Sequence, residues 1–183
     1  SGELVEIGLS GERVSAIYAD GSVILAGTYG NGLFRSTDDG QSWQQVTDGL
    51  ASSAFRTIVP DPLDASAILA GTEPARLYRS TDGGQTWTEA EGIPALAPVD
   101  EWYLPYSPRA GALRNVYAPG GRRLLAAVEV GGLLDSPDGG SSWSIAPIIQ
   151  DDDIHHITGH PADPQLLYAS LGYAALKSNT DRG

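Results

Sequence analysis

The sequence predicts an all-β chain assembled from four copies of one unit. Two observations carry that prediction: an octapeptide recurs at matching places, and short strand-like runs recur around it. The octapeptide, Ser-x-Asp-x-Gly-x-x-Trp, reads STDDGQSW at 36–43, STDGGQTW at 80–87 and SPDGGSSW at 136–143. A fourth begins as NTDRG at 179–183, carrying Asp181 and Gly183 but not the final Trp. Successive copies start 44, 56 and 43 residues apart. Self-similarity at such a period signals stacked supersecondary units, none able to bury its apolar face alone.

The unit can be read outward from the octapeptide. Immediately ahead of it stand LAGTYGNGLFR at 25–35, LAGTEPARLYR at 69–79 and LAAVEVGGLLD at 125–135, with a looser YASLGYAALKS at 168–178. Further upstream lie apolar runs at 14–19, 55–59, 115–118 and 154–158; short runs follow the complete octapeptides at 44–47, 88–90 and 144–146. These segments carry β-branched and aromatic residues and are bounded by Gly, Pro, Asp and Ser, the signature of strands. No window of helical length sustains an apolar stripe with a period of 3.6 residues.

Four short strands, A to D, are therefore expected per unit, with the octapeptide at the C–D turn. Four strands per repeat of about 40–45 residues is the make-up of a β-propeller blade, a four-stranded antiparallel sheet. The blade units run over 12–48, 54–91, 113–147 and 154–183, the last truncated, with an insertion at 91–114. Propellers close with about 4–8 blades. The chain is thus expected to form part of a larger ring or, less favoured, a half-ring completed by a second copy. An open blade face invites self-association.

The octapeptide's chemistry suits a turn. Asp38, Asp82 and Asp138 are expected to accept backbone N–H bonds two residues on, while Gly40, Gly84 and Gly140 supply positive φ. Ser36, Ser80 and Ser136 are expected to add a hydroxyl bond across the hairpin. Trp43, Trp87 and Trp143 open strand D, each with a large apolar face and one N–H needing a partner. A catalytic or metal role for these aspartates is disfavoured, because a catalytic constellation is normally unique and not copied once per unit.

These residues resemble the Asp box, or bacterial neuraminidase repeat (BNR). Together with the Ala-Gly-Thr…Gly-Leu-Phe-Arg flank they are similar to BNR-type β-propellers, among them sialidases, sortilin-type receptors, xyloglucanases and photosystem II assembly factors. The proline-flanked phrases PDPLD at 60–64 and HPADP at 160–164 match the A–B connection of such repeats. The resemblance spans nearly the whole chain. It implies the fold and an extracytoplasmic setting, but no single activity, since enzymes, receptors and assembly factors share the scaffold.

Composition narrows the partners. Net charge is −12, and only eleven residues are basic. So acidic a chain argues against nucleic acid and anionic membranes. No apolar stretch is long enough to span a membrane, so no membrane insertion is expected, and no signal peptide is visible. Cysteine is absent, so disulfides give no information on compartment.

In a blade the A–B and C–D turns leave on one side, and the B–C and D–A connections on the other. The boxes mark the structural side, so a ligand site is expected opposite, around the channel. There the sequence places Tyr29, Asn31, Glu73, Arg76 and Glu129, and the insertion adds Asp100, Trp102, Tyr103 and Arg109. Insertions on one face of a repeat protein often mark its binding face. Trp102 and Tyr103 beside Asp100 would suit a sugar, although packing of the aromatics onto the blade is the favoured reading. Glu73 and Glu129 occupy equivalent positions and, with Asp100, are the candidates for acid–base catalysis; solvated loop residues are the commoner outcome.

The run DDDIHH at 151–156 holds metal-ligand types, yet successive strand residues point to opposite faces, and no metal is expected. The FRTIVP phrase at 55–60 does not reproduce the spacing of the sialidase Arg-Ile-Pro motif. The expectation is a non-catalytic scaffold for a protein or carbohydrate ligand, needing no cofactor; the alternative is a glycoside hydrolase.

Overall fold

The computed structural model describes residues 8–96, 102, 111–147 and 153–172. Three units fold as four-stranded antiparallel sheets in simple meander order. The first contains β1 (Val14–Asp20), β2 (Val23–Thr28), β3 (Leu33–Ser36) and β4 (Gln44–Val46). The second contains β5 (Ala54–Asp61), β6 (Asp64–Glu73), β7 (Leu77–Ser80) and β8 (Thr88–Glu89), and is followed by one helical turn, α1 (Ile93–Leu96). The third contains β9 (Ala112–Gly120), β10 (Arg123–Glu129), β11 (Gly132–Ser136) and β12 (Ser144–Ile145). Of the fourth unit, β13 (Ile154–His160) and β14 (Asp163–Leu171) are described as a two-stranded pair. The fold is that of an all-β partial propeller; no closed ring forms among the described residues. The fourth box, with Asp181 and Gly183, lies outside them.

Each blade packs one face against the next. Leu25 and Leu33 of the first blade meet Ile58, Ile68, Ala70 and Trp87 of the second in one buried cluster. Leu69 and Leu77 meet Val116, Leu124, Ala126 and Trp143 in the next. Leu125, Ala127 and Leu133 meet Ile154 and Ile157 in the third. Strand periodicity of two explains this arrangement: alternate residues of strands A and B face forward and back, and both faces are apolar because both are covered. The tryptophans do not share one core. Trp87 and Trp143 sit in separate clusters, and Trp43 is half-buried on the outer face of the first blade.

Blades approach closely beside the Ala-Gly-Thr phrase. A Cβ on Gly27 would lie 2.5 Å from Phe55 Cβ, and one on Gly71 would lie 2.5 Å from both the Leu113 carbonyl oxygen and Leu113 Cδ2. Arg35 spans the first two blades, donating from Nε to the Gly83 carbonyl at 2.8 Å. Ser15 does the same near the axis, its hydroxyl donating to the Phe55 carbonyl at 2.7 Å.

The boxes are closed hydrogen-bonded clips, built differently from the expectation. Each Ser hydroxyl stays inside its turn: it donates to the box Asp at 2.8, 2.8 and 2.9 Å and accepts the box Gly N–H at 2.9, 2.9 and 2.8 Å. Each Asp reaches four residues on, not two. Asp38 accepts the Ser42 N–H and hydroxyl, Asp82 those of Thr86, and Asp138 those of Ser142, all between 2.6 and 3.1 Å. The two-residue expectation fails because the turn is longer than a simple Asx turn. A hydroxyl residue before the Trp is therefore part of the motif. Each Trp indole N–H finds its partner in the box Gly carbonyl, at 2.9, 3.2 and 3.1 Å.

Candidate functional site

Every blade starts strand A with one extra residue. The register slips between Val14 and Ala16, Phe55 and Thr57, Leu113 and Asn115, and Ile154 and His156. The residues left over are Ser15, Arg56, Arg114 and His155. A bulge re-aims the side chain it carries, and here it brings three basic groups toward the ends of the B strands. At those ends stand Tyr29, Glu73 and Glu129, in equivalent places as the sequence indicated; the fourth unit has Gly172 there, its N–H bonded to the Asp153 carbonyl. A Cβ at Gly172 would overlap the Asp153 carboxylate.

Two groups result. In the first, Arg56 pairs with the buried Glu73 within one blade, its Nε donating to Oε2 at 2.8 Å. The Tyr29 hydroxyl donates to Glu73 Oε1 at 3.4 Å, and the Arg56 and Arg13 guanidinium carbons lie 4.3 and 4.9 Å from the Tyr29 ring centroid. Cation–π contacts of this kind hold the ring between two cations. In the second, Arg114 Nε donates to the buried Glu129 at 2.5 Å. His155 Nε2 lies 3.1 Å from Asp153 Oδ1 and 3.4 Å from Glu129 Oε1. Sequence reasoning weighed Arg56 only within the FRTIVP phrase and Asp153 only within the DDDIHH run, and paired neither Arg56 nor Arg114 with a glutamate. The repeat alignment held a signal for the first two, since Arg56 and Arg114 stand in the same column of strand A, each ahead of the glutamate that ends its own strand B.

Glu129, Asp153 and His155 offer one ligand atom each within 4.8 Å. Carboxylate and imidazole suit several divalent cations. Arg114, however, places a fixed positive charge on one oxygen of Glu129, which competes with a cation for that carboxylate.

The other sequence candidates fall elsewhere. Asn31, on the exposed turn, donates from Nδ2 to Glu12 Oε2 at 2.8 Å, and its carbonyl accepts from Gln45 Nε2 at 2.8 Å. With Phe34, Leu50 and Ser52 these residues line an open cavity of about 540 Å³. Arg76 pairs with Glu89 at 2.5 Å, within its own hairpin and away from the Glu73 carboxylate. Trp102 is 4% exposed and packs with Ile93, Leu69 and Leu77. Asp100, Tyr103 and Arg109 lie outside the described residues.

On the box side the electrostatics are simple. Hydrogen bonds from the Ser42 hydroxyl and N–H, and then Ser36, hold Asp38 down to about 2. The Ser142 hydroxyl and N–H, with Ser136, do the same for Asp138, also to about 2. For Asp82 burial pushes upward, but the combined bonds from Thr86, Ser80 and Gln85 bring it to about 2.

Clipped hairpins at the outer turn of stacked four-stranded blades define this chain as a BNR-repeat, Asp-box β-propeller. The family model Sortilin-Vps10 (sortilin, neurotensin receptor 3) matches residues 31–98. A search of curated proteins gives no match. Among solved structures, an ancestral GH74 enzyme is similar over 87% of this chain and 22% of its own, at 19% identity and a TM-score of 0.61. The GH74 xyloglucanase from Xanthomonas campestris is similar over 89% and 27%, at 21% identity and a TM-score of 0.56. YCF48 bound to D1 peptide is similar over 86% and 48%, at 20% identity and a TM-score of 0.53. The chain spans less than half the length of each. These likenesses are ones of fold.

Proposed function

We propose that the chain is a non-catalytic propeller scaffold that binds a protein or carbohydrate ligand on the face opposite the Asp boxes. The observation that carries this reading is the state of the two candidate catalytic carboxylates. Glu73 and Glu129 are buried, and each is held by an arginine of its own blade. A general acid must present an exchangeable proton to the leaving group, and an acid–base pair needs two environments that push its members apart. Each of these carboxylates is instead engaged by a guanidinium, which commits its Oε2 oxygen to an ion pair inside the protein. Asn31 and the open cavity it lines with Phe34, Gln45 and Ser52 offer the surface for a ligand, with the half-buried Tyr29 two residues away in the chain. The YCF48 structure with a bound peptide supports a protein ligand, and the GH74 neighbours keep glycans in view.

The test has two arms. Chromogenic β-glycosides and xyloglucan should show no turnover above buffer. Panning a displayed peptide library and a glycan array should yield a ligand whose binding weakens at least tenfold, about 1.4 kcal/mol, in Tyr29→Ala or Asn31→Ala. Turnover that disappears in Glu129→Gln or Asp100→Asn would replace this reading with the hydrolase.

A further inference from the structure

Between the third and fourth units the repeat changes its chemistry. In the second and third blades the bulged residue of strand A is an arginine, paired with the glutamate that ends strand B of the same blade. In the fourth unit the bulged residue is His155, and Gly172 stands in the glutamate column. Asp153, bonded through its carbonyl to the Gly172 N–H, holds the place of Ala54 and Ala112. A fixed cation facing a glutamate has thus become an imidazole beside an aspartate. Neutral imidazole can donate a lone pair to a metal, which a guanidinium cannot.

A second carboxylate reaches the same imidazole from the third blade. Glu129, at the end of its strand B, is bridged to Asp153 through the backbone. Both carboxylate side chains are 4% exposed. His155 Nε2 lies 3.1 Å from Asp153 Oδ1 and 3.4 Å from Glu129 Oε1. That nitrogen is shielded from solvent, yet it is hydrogen-bonded to neither oxygen. At these distances only direction can exclude the bond, so both oxygens stand off the axis along which a ring nitrogen binds. This is the geometry of co-ligands. An ion about 2.0–2.2 Å from its nitrogen and oxygen donors keeps neighbouring donors roughly 3.0–3.5 Å apart, each well off the metal–nitrogen axis. Gly172 keeps the place clear: a Cβ there would lie 2.5 Å from His155 Nε2 and 2.4 Å from Asp153 Oδ2. Arg114 bonds Oε2 of Glu129, whereas Oε1 is the oxygen toward His155.

We propose that Glu129, Asp153 and His155 bind one divalent first-row transition ion of the zinc class at this seam. One imidazole with two carboxylates suits that class, whereas calcium and magnesium favour oxygen donors throughout. Three protein donors leave the remaining coordination to water. The ion would join the third blade to the fourth unit through side chains, beside the apolar contact of Leu125 and Ala127 with Ile154 and Ile157. The expectation of no metal rested on the divergence of His155 and His156 along a strand. Only His155 takes part here, with the aspartate two residues before it. The site is independent of the ligand reading, which concerns the cavity beside Asn31.

Competition for Zn²⁺ between a chromogenic chelator and the untagged, EDTA-stripped chain tests the proposal. The unsubstituted chain should take up one Zn²⁺, and the ion should raise its melting temperature, as a ligand bound only to the folded state must. His155→Ala and Asp153→Asn should each bind at least tenfold more weakly and lose that rise. His156→Ala and His160→Ala, which change the other two histidines of the chain, should bind as the parent does. Far-UV circular dichroism confirms that each variant is folded, and His155, its side chain 38% exposed, can be truncated without opening the core. A chain that leaves all the Zn²⁺ with the chelator would overturn the proposal. So would binding that survives in His155→Ala, or that disappears in His156→Ala or His160→Ala, the mark of adventitious surface histidines.

Discussion

Gly71 is a position where the blade stack leaves no room for a side chain. Its backbone conformation is open to any residue, so the constraint is contact alone. A methyl there would stand 2.5 Å from the Leu113 carbonyl oxygen, 2.5 Å from Leu113 Cδ2 and 2.8 Å from Thr57 Cγ2. One of those atoms is backbone in the neighbouring blade, so a rotamer change cannot relieve the clash; the second and third blades must separate. Overpacking of this kind costs about 1–3 kcal/mol. Removal of glycine's backbone freedom in the unfolded chain returns about 0.4–1 kcal/mol. A net loss of roughly 1–2 kcal/mol follows, and at about 2–4 °C per kcal/mol for a chain of this size the melting temperature should fall by about 2–8 °C. Ala127 occupies the same column one blade later and is fully buried, so the gap after the third blade is built to hold a methyl. Calorimetry of Gly71→Ala beside Ala127→Gly makes the comparison: both should be destabilised, for opposite reasons. A Gly71→Ala protein as stable as the parent would refute the claim that glycine sets blade spacing.

Three further outcomes are expected. The box aspartates have folded pKa values near 2, below the unfolded value of 3.8; their contribution is present above about pH 4 and is lost as pH falls through 2, so acid titration of Asp38→Asn should give a shallower loss across that window than the parent. Glu73→Ala leaves the largely buried Arg56 without its carboxylate and should cost about 3–5 kcal/mol in urea unfolding, whereas Arg56→Met combined with Glu73→Leu should come close to neutral. Trp87→Ala should cost about 3–5 kcal/mol, and Trp43→Ala only about 1–2 kcal/mol because its face is half-open; equal losses would contradict the assignment of Trp43 to an outer face.

The fold was legible because propeller blades are local. Strand runs, turn residues and the box all lie within one unit, and the box Asp, Gly and Trp announce the hairpin by chemistry alone. What escaped was information held in register. The hydroxyl of Ser42, Thr86 and Ser142 is as regular as the Asp it serves, but its role shows only once the turn is known to span four residues. Glu73 and Glu129 were placed at equivalent strand ends, yet their arginines come from the neighbouring A strand, about 15–17 residues earlier in sequence. Trp102, read either as a stacking surface or as packing, is enclosed by Ile93 of a helical turn too short to leave a periodic trace.

The extra residue that opens each A strand gives the described blades a row of substitutable positions. Because a bulged residue takes no place in the pairing ladder, Ser15, Arg56, Arg114 and His155 can differ in size and charge while the sheets around them keep one geometry. The electrostatic potential along these strand ends is thereby uncoupled from the architecture that carries them. In the described blades that row changes from a hydroxyl to two guanidinium groups to an imidazole, so the charge at the strand ends can be retuned one position at a time, without reworking a single apolar face.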